Sequence, residues 1–135
     1  MTAKGRILLV DDDCDILRGL SVRLRAAGYE VPTAQDGQAG LTAARSEHLD
    51  AIVLDLRMPG TDGFAVLAGL RASQETRGIP VVVVSANTVE RSKKRALDLG
   101  ARCFVEKPFD NKSLVQTLEA AIAGGHCPLK SKSQA

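Results

Sequence analysis

Four short apolar runs recur along the chain: Ile7-Leu8-Leu9-Val10, Ala51-Ile52-Val53-Leu54, Val81-Val82-Val83-Val84 and Cys103-Phe104-Val105. None alternates with polar residues, which is the pattern of strands buried on both faces of a parallel sheet. Between the runs, apolar residues fall at helical spacing. Ile16, Leu17, Leu20, Leu24 and Ala27 form one stripe, predicting a helix over 14–27 that Gly28 closes. A weaker strand is expected over 30–34, at a sheet edge because Pro32 has no N–H to give to a ladder. Helices follow over 36–47, 64–72 and 88–99, the last ended by Gly100, with strands over 51–55, 81–85 and 102–106. A final helix opens after Asp110, a good N-cap, and buries Leu114, Val115, Leu118 and Ile122. Residues 57–63, dense in Pro and Gly, read as a loop. Strand and helix alternate five times, so the expected fold is α/β, a doubly wound parallel sheet with right-handed crossovers and helices on both faces. One domain over 1–123 and a polar tail over 124–135 account for the chain.

The polar residues that end the strands change this from a fold to a site. Asp11-Asp12 follows the first run, Asp55 the third strand, Ser85 the four valines, and Lys107-Pro108 the fifth strand. In an open parallel sheet the carboxyl ends of the strands share one edge, where ligands bind. Residues spread over nearly the whole sequence are thus expected to meet in one pocket. Carboxylates crowded together repel, and without a counter-charge some would hold a proton. A divalent cation relieves that repulsion, and an all-oxygen ligand set suits Mg²⁺, with Mn²⁺ a possible substitute, better than zinc. Mg²⁺ commonly completes its shell with phosphate oxygens. Lys107 supplies a positive point charge for such a group, Ser85 a hydroxyl donor, and a carboxylate such as Asp55 can itself accept a phosphoryl group.

Composition narrows the classes. The chain has 135 residues, 44% apolar content and a formal net charge of only +2, so it can build a core and carries no charge excess pointing to nucleic acid or membrane. One Tyr and no Trp give no aromatic platform for bases. Cys14, Cys103 and Cys127 form no C-x-x-C pair, which suits reduced thiols in a cytoplasm. No stretch approaches the roughly 20 apolar residues of a membrane span, no signal peptide is expected, and no G-x-x-x-x-G-K-[ST] loop is present.

The set Asp11-Asp12, Leu54-Asp55-Leu56-Arg57-Met58-Pro59, Asp62-Gly63, Ser85-Ala86 and Lys107-Pro108-Phe109 resembles the receiver domain of bacterial two-component response regulators, over about residues 6–123. The resemblance implies strand order 2-1-3-4-5 in a flavodoxin-like sheet, and a cis peptide at Lys107-Pro108. It implies that Asp55 takes a phosphoryl group from a sensor histidine kinase or phosphotransfer protein. Mg²⁺ would be held by Asp11, Asp12, Asp55 and the backbone carbonyl of Arg57, with Ser85 and Lys107 contacting the phosphoryl group. Phe104 would be a switch aromatic that couples the site to the helix 4–strand 5–helix 5 surface, where a downstream protein binds. Helix 4 carries Arg91, Lys93, Lys94 and Arg95, so that surface is expected to be basic. Arg57 and Asn87 would modulate the phosphate's lifetime. Such a domain is a signalling acceptor rather than an enzyme, cytoplasmic, and makes no direct contact with nucleic acid or membrane. Two other readings compete. Asp11-x-Asp13 superficially matches the D-x-D of haloacid-dehalogenase-like phosphohydrolases, although Cys14 follows and no cap domain is present. A receiver-like binding module that works without phosphorylation would be expected to lack the acceptor or the lysine, and both are present.

Overall fold

The computed structural model of the chain describes residues 4–58, 60–86 and 90–124. A parallel sheet forms its centre. Gly5–Val10 (β1), Ala51–Asp55 (β4), Val81–Ser85 (β7) and Cys103–Glu106 (β8) are the apolar runs, and Tyr29–Glu30 (β2) and Thr33–Ala34 (β3) line the outer side of β1. The order is β2-β1-β4-β7-β8, with β3 also paired to β1. This is the flavodoxin-like arrangement that the resemblance implied, with the second strand in two pieces. Pro32 is the physical reason for the break. It has no N–H to donate, but its carbonyl accepts the Leu9 N–H at 3.0 Å, so the edge stays attached through the interruption.

Consecutive residues of each strand point to opposite faces. Ile7, Leu9, Val53, Val82, Val84, Cys103 and Val105 pack beneath Cys14–Ala26 (α1) and Asn111–Ile122 (α5). Leu8, Val10, Ile52, Leu54, Val81 and Val83 pack under Gly37–Ser46 (α2), Gly63–Ala72 (α3) and Glu90–Asp98 (α4). Helix α1 buries Leu17, Leu20, Ser21 and Leu24, whereas α4 buries only Ala96. Four helices start on an aspartate whose side chain takes otherwise unpaired N–H groups. Asp13 accepts from Asp15 and Ile16, Asp36 from Ala39, Asp62 from Phe64, and Asp110 from Ser113.

Two expectations change. Residues 57–62 are not simply a loop: Arg57–Met58 (β5) and Thr61–Asp62 (β6) pair as an antiparallel hairpin. Two-residue strands are too short to carry a periodicity that would mark them. Cys14 is a free, exposed thiol, but Cys103 is disulfide-bonded, unlike the reduced set expected. Asn87, Pro59 and the expected tail beyond Gly124 lie outside the described residues. Among the described residues no helix is long and apolar enough to cross a membrane.

The two core layers set the stability. Leu118 is fully buried and Val22 is 65% exposed. Leu118→Ala is expected to cost about 2–5 kcal/mol and Val22→Ala about 0.5 kcal/mol or less, as read from urea denaturation midpoints.

Candidate functional site

The strand ends bring the predicted residues to one edge of the sheet. The parallel registers Val10↔Leu54, Asp55↔Val84 and Ser85↔Glu106 place Asp11, Asp55, Ser85 and Lys107 at successive strand termini. Asp11 and Asp55 are each only 3% exposed, and Ser85 is fully buried. Two carboxylates this deep need a cation. The Lys107 Nζ lies 3.2 Å from Asp11 Oδ2 and 3.4 Å from Asp55 Oδ2, so one ammonium bridges both. The remaining oxygens meet backbone: Asp11 Oδ1 accepts the Asp13 N–H at 3.0 Å, and Asp55 Oδ1 accepts the Arg57 N–H at 3.2 Å. Lys107 is itself anchored, its own N–H donating to the Ser85 carbonyl at 2.9 Å, and the peptide that follows it, Lys107-Pro108, is cis as implied.

Asp11-Asp12-Asp13 divides where strand becomes helix. Asp11 continues the buried strand, Asp12 is exposed at its mouth, and Asp13 turns away to cap α1. That engagement removes Asp13 from the pocket, and with it the D-x-D pairing of the phosphohydrolase reading. Asp11, Asp12 and Asp55 each place one carboxylate oxygen within 4.8 Å of the others. Three carboxylates and no sulfur or imidazole are a hard-cation donor set, so these residues fit Mg²⁺.

Burial, and next the negative charge of Asp11, push the Asp55 carboxyl up from 3.8 to about 6, although the Arg57 N–H and Lys107 pull it down. Nearby, Arg57 is exposed and lines an open cleft of about 460 Å³ with Met58, Phe64, Ser85 and Ser92. Phe104 is half-buried on the α2–α4 side of the sheet, paired across from Val83. Two of the four basic residues of α4 lie against acids, and a third lies on an aromatic ring. Lys93 lies 3.4 Å from Glu106, Lys94 is 2.9 Å from Asp98, and Arg95 stacks 4.1 Å from the Phe64 ring. Identity alone predicted a cationic face, but these partners depend on helix phase and on β8. Sequence reasoning passed over the hairpin that presents Arg57. Its one local signal was Gly60, which takes a φ of +71° at the turn.

Comparison with known proteins agrees with this geometry. A profile of the family described as "Response regulator receiver domain" matches residues 7–119. Transcriptional regulatory protein PrrA of Mycobacterium tuberculosis is 41% identical over 117 residues, covering 87% of this chain and 49% of PrrA. The chain thus spans about half the length of that relative. Protein PilH of Pseudomonas aeruginosa is 36% identical over 120 residues, covering 89% of this chain and 99% of PilH. Among solved structures, the receiver domain of sensor histidine kinase PA1611 from P. aeruginosa, with a magnesium ion coordinated in its active site cleft, superposes with a TM-score of 0.81. It is 30% identical, over 90% of this chain and 99% of that one.

The raised Asp55 pKa has a stability consequence. The folded state holds the Asp55 proton more firmly than the unfolded chain, so this group favours folding at low pH. That contribution is fully present below about 4, the unfolded value, and is lost as pH rises through about 6. Asp55→Asn is expected to raise metal-free stability near neutral pH by on the order of 1–2 kcal/mol. The gain should vanish as pH falls toward about 4. Thermal unfolding of both proteins across pH in chelator-containing buffer checks it. A gain that persists unchanged in acid would show that charge is not its source.

Proposed function

The chain belongs to the response regulator receiver domain family, the phospho-acceptor signalling domains of two-component systems, and from that premise we propose that Asp55 is its acceptor. The observation that carries the assignment is the Lys107 ammonium shared between two buried carboxylates, Asp11 and Asp55, at the carboxyl edge of the sheet. A structural carboxylate at that depth would sit in a closed ion pair. Here two acids share one ammonium, beside a third acid that solvent reaches.

In this reading a partner kinase or phosphotransfer protein presents a phosphohistidine at the mouth of the site. An oxygen of Asp55 forms a bond to phosphorus, the phosphorus–nitrogen bond breaks, and the imidazole leaves. The Arg57 N–H and Lys107 fix the Asp55 carboxylate in orientation, so little reorganisation is needed. Asp11, Asp12, Asp55 and the Arg57 carbonyl would hold Mg²⁺, which neutralises charge on the phosphoryl oxygens when bound. Lys107 exchanges a carboxylate oxygen for a phosphoryl oxygen, and the Ser85 hydroxyl donates to another. Phe104, across from Val83 on β8, carries the change toward α4 and the α4–β8–α5 surface, where a downstream protein binds. Arg57, exposed on the adjoining cleft, and Asn87 set how readily water reaches the acyl phosphate. The domain then acts as an acceptor charged once per phosphate and placed in the cytoplasm, where its kinase partner signals.

Incubation with acetyl phosphate and Mg²⁺ is expected to add the mass of one phosphoryl group to the intact protein. The gain should be absent in Asp55→Asn and in excess EDTA, and strongly reduced in Lys107→Ala. A phosphoryl group still acquired by Asp55→Asn would assign the acceptor elsewhere.

A further inference from the structure

Two of the segments that carry the proposed cation ligands meet the same helix. Asp11 and Asp12 follow β1, and Arg57 opens the β5–β6 hairpin. The hairpin base is closed by the Gly63 N–H, which donates to the Leu56 carbonyl at 3.2 Å, and Arg57 lies opposite Asp62 across the ladder. Its second strand rests on the first residue of α2: Thr61 Oγ1 accepts the Gly37 N–H at 3.4 Å. The approach leaves no room. A Cβ built on Gly37 would fall deep inside the contact distance of Thr61 Cγ2 and 2.6 Å from Val66 Cγ2. One turn later Gly40 sits on β1, where a Cβ would be 3.0 and 3.1 Å from the two methyls of Val10, the residue before Asp11. The N-terminal part of α2 therefore touches both of these segments, through glycines where a Cβ would crowd the facing side chains.

We propose that Gly37 and Thr61 are positioning residues for cation binding: the first turn of α2 is the abutment that sets the β5–β6 hairpin, and hence the Arg57 carbonyl, relative to Asp11 and Asp12. This rests on the reading of those groups as the cation site. Neither residue touches the ion. Each acts by fixing the backbone of a ligand, in the way outer-shell partners govern metal affinity.

The test is calorimetric titration of Mg²⁺ into the wild type, Thr61→Ala, Gly37→Ala, the double variant, and Gly69→Ala. Gly69 meets α2 at Leu41, where a Cβ would be 3.3 Å from Leu41 Cδ2, away from the hairpin. Thr61→Ala and Gly37→Ala are each expected to weaken Mg²⁺ binding about tenfold. Because the added methyl of Gly37→Ala occupies space that Thr61→Ala vacates, the double variant should lose less than the two losses combined. At saturating Mg²⁺, phosphorylation by acetyl phosphate should return close to the wild-type rate in Thr61→Ala. Gly69→Ala should bind Mg²⁺ normally even if its melting temperature falls. A folded Thr61→Ala with wild-type Mg²⁺ affinity overturns the inference alone, as does an equal loss in Gly69→Ala, which would mark general loosening. Should Gly37→Ala not fold, Thr61→Ala decides. A wild type that binds no Mg²⁺ overturns the cation-site reading itself.

Discussion

Two carboxylates buried side by side, with one ammonium between them, are the constraint around which this fold is arranged. Left without Lys107, Asp11 and Asp55 would have to take up protons or draw in water, since an unpaired buried charge is costly. Lys107 comes from the far end of the sequence, and only a sheet in which β1, β4 and β8 end at one edge can deliver it. The same constraint bears on Asp55 as the proposed acceptor. Asp55 is held by its neighbours but not neutralised by them, because it must share its cation with Asp11. The result is a carboxyl whose proton affinity is raised by burial and by a like charge, while remaining oriented by Lys107 and the Arg57 N–H.

Aspartate serves two purposes here, and backbone position separates them. Asp13, Asp36, Asp62 and Asp110 sit at helix starts and spend their oxygens on backbone N–H groups. Asp11, Asp12 and Asp55 sit at strand ends, where such donors are scarcer and the acids face one another. The run Asp11-Asp12-Asp13 contains both roles within three residues because the chain changes from strand to helix there.

The main strands and the site were legible in the sequence for one reason: three of the four apolar runs stop abruptly at a polar residue of the candidate site. Val10 gives way to Asp11, Leu54 to Asp55 and Val84 to Ser85, so the last apolar position and the first polar one of the candidate site are adjacent. The edge position of the second strand was also readable, from Pro32. What escaped had no local pattern. The break between β2 and β3, the β5–β6 hairpin and the contact of Gly37 with Thr61 depend on pairings between distant segments or on two-residue strands. The sharing of Lys107 between two acids depends on a spacing that only the assembled sheet defines. The cations of α4 were visible as residues, yet Glu106, Asp98 and the ring of Phe64 were not visible as their partners.

Helix α4 differs from α1 in how it is held. Its single buried residue is an alanine, and Lys93, Lys94 and Arg95 add exposed or half-exposed contacts. Ion pairs of this kind contribute roughly 0–1 kcal/mol each, and a methyl group hides little apolar area. Sliding α4 by part of a turn would thus uncover almost no core, whereas the same displacement of α1 would expose three leucines. Displacing α4 therefore costs far less buried apolar contact than displacing α1, which makes it an easier element for a local change at the sheet edge to move.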